Sequence, residues 1–168
     1  MKNFKRNIYR LSGAECEFTG VAVEVPTPTT TQSPYSLTTN CTAGFITNDY
    51  VLSGVPAGAT VVVKATFSGY LTRASGSSYQ ANASLSLNGG TSQTSPCIAT
   101  QGSFNIQDTD TFSAPANGVF PVSAVAQNYS SAVGVNLTIE LVSVNGTPVG
   151  DTVSGCWGNS SGSNGCPA

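Results

Sequence analysis

Apolar and polar residues alternate along much of this chain, most regularly in the stretch 132–144, A-V-G-V-N-L-T-I-E-L-V-S-V. Val133, Val135, Leu137, Ile139 and Leu141 occupy every second position, with Gly134, Asn136, Thr138 and Glu140 between them. A period of two is that of a β-strand with one face in a core and the other in water. After Leu141 the apolar positions change parity to Val142 and Val144, a slip that one extra residue in a β-bulge produces. Asn145-Gly146 then predicts a tight hairpin turn.

Two further strands are predicted with the same pattern. Val61, Val63, Ala65, Phe67 and Leu71 share a face after the turn Val55-Pro-Ala-Gly58, and Tyr79, Ala81, Ala83, Leu85 and Leu87 share another before Asn88-Gly-Gly90. Shorter strands are expected at 16–25, 36–41, 45–52, 97–106 and 119–127, with 26–35, which contains Pro26, Pro28 and Pro34, as an extended polar connector. Residues 97–106 follow a Ser/Thr loop that closes at Pro96. Helical periodicity is absent, and turn signals recur roughly every 8 to 12 residues, as in sandwiches and barrels.

The fold class this predicts is all-β: an antiparallel β-sandwich over residues 16–155, with an extended arm at 1–15 and a Gly/Ser-rich loop and tail at 156–168. Its core is expected to hold Val61, Val63, Phe67, Leu85, Leu87, Val135, Leu137 and Ile139. An internal echo predicts two related halves packed face to face. Phe45, Asp49, Pro56, Ala57 and Ala65 recur as Phe104, Asp108, Pro115, Ala116 and Ala124 at one constant offset.

Charge changes the picture. Charged residues make up only 8% of the chain, against a usual value of about 25%. The surface must therefore be covered by hydroxyls and amides, as suits proteins that work outside cells. Four of the 6 basic residues, Lys2, Lys5, Arg6 and Arg10, lie in the arm, and all 8 acidic ones follow them. The segment after the basic start, Leu11-Ser-Gly-Ala-Glu-Cys16, lacks the roughly 7 to 15 apolar residues of a signal peptide, so none is predicted. No window approaches the ~18 apolar residues of a membrane span.

With 0 histidines the chain has no imidazole base and no histidine metal ligand. The acids Glu15, Glu17, Glu24, Asp49, Asp108, Asp110, Glu140 and Asp151 are scattered, and no enzyme, metal or cofactor is predicted. Gln107-Asp-Thr-Asp110 reads as a turn capped by its aspartates rather than a calcium loop, and Glu140 as a solvated charge. Five cysteines lack Cys-x-x-Cys spacing, which argues for disulfides over zinc. Cys156 and Cys166 bound one loop and are predicted to pair, Cys41 with Cys97 is a weaker pairing, and Cys16 is left over. The sequons at Asn40, Asn82, Asn128, Asn136, Asn145 and Asn159 are expected by chance in so Asn- and Thr-rich a chain. Tyr35, Tyr50, Tyr70, Tyr129 and Trp157 lie singly near turns and are expected to cap the sandwich ends.

The stretches Tyr50-Val-Leu-Ser-Gly-Val-Pro-Ala-Gly-Ala-Thr-Val-Val-Val63 and Thr111-Phe-Ser-Ala-Pro-Ala-Asn-Gly-Val-Phe120 resemble the strand, Pro-Gly turn, strand corners of immunoglobulin-like and fibronectin-like domains. The second also resembles corners in jelly-roll heads of fibre proteins. From about residue 36 to 153 the composition is similar to accessory virion proteins of tailed phages, such as head decoration and fibre subunits. That resemblance implies a non-enzymatic structural protein of the virion, present in many copies or as a homo-oligomer among capsid or tail subunits, and not bound to membrane or nucleic acid. The anchoring arm would use Lys2, Lys5, Arg6 and Arg10 for carboxylates of a neighbour and Phe4, Ile8 and Tyr9 for apolar contact. The alternative is a secreted or cell-surface adhesin or carbohydrate-binding module that meets a host-surface glycan.

Overall fold

The computed structural model describes residues 33–161 and Cys166. Its strands are β1 (Ser36–Thr39), β2 (Thr47–Ser53), β3 (Thr60–Arg73), β4 (Asn82–Leu87), β5 (Gln93–Thr94), β6 (Gln101–Ser113), β7 (Val119–Gln127), β8 (Tyr129–Val144), β9 (Thr147–Gly155) and β10 (Gly158–Ser160). There is no helix among the described residues. One sheet has the order β1-β2-β7-β4-β5, with β10 also on β7, and the other has the order β6-β3-β8-β9. All the strand pairings are antiparallel except β10 with β7. This is a β-sandwich. The predicted strand at 16–25 and the arm at 1–15 lie outside the described residues.

β8 runs through the middle of the second sheet, between β3 and β9. Its register against β3 steps from Val62↔Ser143 to Val63↔Leu141, which leaves Val142 as the extra residue of the expected bulge. Asn145 and Gly146 both have positive φ, 49° and 78°, and join Val144 to its partner Thr147 as the hairpin turn requires. A second slip is not visible in the alternation. The register steps from Ser68↔Asn136 to Tyr70↔Val133, one residue more on β8 than on β3, at Gly134 with φ 59°. Val133, expected on the core face, is thereby turned outward at 63% exposure, and Ala132 packs against the core in its place. Val135 sits over Gly69, where an added Cβ would lie 2.6 Å from Val135 Cγ2. It is half-buried at the core margin instead of inside it.

The other seven predicted core residues are fully buried, and Ala65, Leu71, Phe120, Val122 and Leu141 join them. Each such aliphatic or phenyl side chain contributes roughly 1.5 to 3 kcal/mol of burial, so the two facing layers are the main source of stability. Phe67 meets Phe104 edge-on at 5.0 Å and Trp157 at 6.2 Å, which closes the core at one end.

The echoed stretches do not form one sheet each, as the sequence suggested. Each is a corner that crosses between sheets, β2 to β3 in one direction and β6 to β7 in the other. β2 then pairs with β7 and β3 with β6, so the two corners interlock, tied by Gly58 N–H to Ala114 O and Leu52 N–H to Gly118 O, both 2.8 Å. The equivalence is partial, since Phe104 is buried and Phe45 is not.

Both open sides of the sandwich are closed by an aspartate. Asp151 points inward from the edge strand β9, and its Oδ2 accepts the Leu37 N–H of β1 at 2.7 Å. Asp108, on the opposite edge strand β6, accepts the Leu87 N–H of β4 at 3.3 Å. Each serves an amide that its own sheet leaves unpaired. An inward charge on an edge strand also discourages pairing with another chain.

Candidate functional site

The sequence-predicted groups fall in different places. Cys41 pairs with Cys156 and Cys97 with Cys166, with Cα separations of 5.6 and 5.8 Å, in place of the expected Cys156–Cys166 and Cys41–Cys97 bonds. The reason is β10. It adds in parallel to β7 immediately after Cys156 and carries the chain away, so that Cys166 arrives beside β4, where its carbonyl accepts the Gln80 N–H at 2.8 Å. Cys97 is next to Ile98, which bridges to Ala81 at the same place, while the end of β9 brings Cys156 to Cys41 just past β1. The bonds span 115 and 69 residues and tie the ends of the described chain to its middle and start. Cys16 and the arm residues Lys2, Phe4, Lys5, Arg6, Ile8, Tyr9 and Arg10 lie outside the described residues.

Gln107 to Asp110 is not a turn, because it lies inside β6, whose long pairing with β3 continues through it. Both aspartates are on the inner side, Asp108 spanning the sheets and Asp110 Oδ1 accepting the Thr111 N–H at 2.8 Å. Glu140 is opposite Lys64 on the outer face of the second sheet. Among the described residues no group of three or more Cys, Asp or Glu side chains gathers as a metal site would need.

Of the aromatics expected to cap the sandwich ends, Tyr50 departs from that expectation. Tyr50 is fully buried, while Tyr35, Tyr129 and Trp157 pack partly buried against the core. Burial raises the Tyr50 pKa above its ordinary 10.0, an effect only partly opposed by the nearby Cys156 backbone and Thr39 side chain. Neither of these neighbours gives its hydroxyl a hydrogen bond of good geometry. Tyr70 is exposed on the outer face opposite Val133. The most exposed aromatic described is Phe45, at 62%, and it was not anticipated.

Phe45 forms one wall of a cleft of about 460 Å³ on the outer face of the first sheet. The floor is Thr47, Asp49 and Val51 of β2 with Val119 of β7, and Asn40 and Thr42 complete the rim. The loop that carries Phe45 is held from several directions. Asn48 accepts the Thr42 N–H at 2.9 Å and donates to Phe45 O at 3.0 Å, Gly44 N–H donates to Trp157 O at 3.1 Å, and the Cys41–Cys156 bond ties down its start. Gly44 has φ 93°, a conformation that glycine adopts without strain. A smaller cleft of about 320 Å³ lies against the same loop, lined by Tyr129, Trp157 and the Cys156 bridge. The one sequence signal for the larger cleft is Phe45-Ile46, an apolar pair that precedes the alternation of β2 and belongs to neither of its faces.

No protein-family model matches this chain, and no curated protein or solved structure matches it.

Proposed function

We propose that this chain is a non-enzymatic structural subunit of a virion, of the capsid decoration, minor capsid or fibre type, held in its assembly by residues 1–15 with the sandwich facing outward. The observation that carries this reading is the pair of long-range disulfides closing a sandwich whose charged residues are only 8% of the chain. Such bonds persist in oxidising surroundings outside cells. The described acids support a holding role, since Asp108 and Asp151 are engaged with backbone amides of the opposite sheet. The partners are then capsid or tail subunits, met through the basic and apolar arm. A second reading, a secreted or cell-surface adhesin or carbohydrate-binding module, draws on the Phe45 cleft.

Density-gradient sedimentation of the native source separates these readings. The expected result is full-length chain co-sedimenting with particles, and a variant lacking residues 2–15 that folds but stays at the top of the gradient. Full-length chain found only as free monomer would overturn the structural role, and normal incorporation of the shortened chain would overturn the anchoring role of the arm.

A further inference from the structure

We infer that the Phe45 cleft is a binding site for neutral glycans, whichever assembly carries the sandwich. The inference goes beyond the structural role, and its test uses the purified chain, so either can fail without the other.

Phe45 is displayed on a pinned loop. Phe45, 62% exposed beside Ile46 at 41%, presents an apolar aromatic face to solvent that a ligand can cover. The loop presenting it is fixed by the Asn48 bonds, the Gly44–Trp157 bond and a disulfide. A backbone held in place loses little entropy on binding, which favours an aromatic anchor carried on it.

Polar groups stand beside the ring. The Asp49 carboxylate has no hydrogen bond or ion pair among the described residues, although the backbone carbonyl of the same residue is engaged by Thr39 Oγ1 at 3.1 Å. The Asn40 amide is likewise uncommitted among them. Thr47 Oγ1 shares a 2.7 Å hydrogen bond with Ser123 Oγ, which leaves further lone pairs on both oxygens. A carboxylate, an amide and hydroxyls next to an aromatic face fit a pyranose. Its C–H face stacks on the ring while neighbouring hydroxyls donate to the carboxylate and accept from the amide. Val51 and Val119 supply the apolar part of the floor. About 460 Å³ accommodates one or two sugar rings.

Charge narrows the ligand class. Lys64 and Arg73 are the only basic side chains among the described residues, and neither lines the cleft. Arg73 is already occupied by the carbonyls of Ser77, Tyr79 and Ala99. With Asp49 as the charged group lining the cleft, a sialylated or sulfated sugar meets repulsion, so the ligand class is neutral.

The test is an array of neutral, sialylated and sulfated oligosaccharides probed with the full chain, followed by calorimetric titration of the best neutral binder. Phe45→Ala and Asp49→Asn are each expected to weaken binding about tenfold or more, while Tyr70→Ala, the other exposed aromatic among the described residues, changes it by less than about twofold. Phe45→Trp should retain binding and Phe45→Leu should lose it, which separates stacking from any loss of folding. Failure to bind any neutral glycan, binding confined to anionic ones, or undiminished binding by Phe45→Ala would each overturn the inference.

Discussion

Replacing Asp151 by alanine tests how the two sheets are held together. Leu37 is only 4% exposed, and β1 has β2 on one side alone, so the amide that Leu37 gives to Asp151 has no ladder partner to fall back on. Orphaning a buried N–H costs about 1–3 kcal/mol, and bonds to a carboxylate lie toward the upper part of that range. For a chain of this size that corresponds to a melting-point drop of roughly 3 to 10 °C. Asp151→Asn keeps an acceptor and loses the charge, so it should fall about halfway. Asp108→Ala removes a longer bond, 3.3 Å against 2.7 Å, and should cost less. Urea unfolding followed by the single tryptophan, Trp157, which packs on Phe67 and Tyr129, reports the midpoint. The slope should remain unchanged, since the surface exposed on unfolding is the same. A midpoint for Asp151→Ala equal to wild type, or a loss for Asp151→Asn equal to that for alanine, would refute the claim that the carboxylate joins the sheets.

Other expectations follow from the core, the disulfides and the buried tyrosine. Ile139→Ala empties a fully buried position between the sheets and should cost about 2–5 kcal/mol by the same urea assay. The double variant Cys41→Ser, Cys156→Ser opens a loop of 115 residues, for which chain entropy implies a loss of about 4–5 kcal/mol; calorimetry should show a lower melting point with the fold retained. Tyr50 has a folded pKa raised by desolvation, so its contribution is fully present below the ordinary value of 10.0 and is lost as pH rises through the folded value. Absorbance titration should show a step above the ordinary tyrosine value that coincides with unfolding, and Tyr50→Phe should remove that step. Because the buried hydroxyl lacks a hydrogen-bond partner among the described residues, Tyr50→Phe should be neutral or stabilising below that range.

The sandwich was legible because burial on one face imposes a period of two. Leu137, Ile139 and Leu141 on one strand and Val61, Val63 and Phe67 on another declare their common face without any other information. The bulge at Val142 was legible for the same reason, since it interrupts an apolar series. The bulge at Gly134 was not, because it exchanges Val133 for Ala132, two residues that a hydrophobicity pattern does not distinguish. The disulfide partners were hidden because they depend on where β10, a polar Gly-Asn-Ser segment with no apolar signature, adds to β7. Asp108 and Asp151 read as scattered charges because their partners are backbone amides of residues far away in sequence. The Phe45 cleft escaped notice since its ring lies outside any alternation, and only the pinned loop reveals that the exposure is constrained.

The most direct measurement of the account is peptide mapping by mass spectrometry of non-reduced protein recovered from its native source. A sandwich clamped by these two bonds should give cross-linked peptides containing Cys41 with Cys156 and Cys97 with Cys166. Recovery of these four residues as free thiols would contradict the oxidising setting on which the proposed role rests, and a Cys156–Cys166 peptide in their place would contradict the path of the chain after β9.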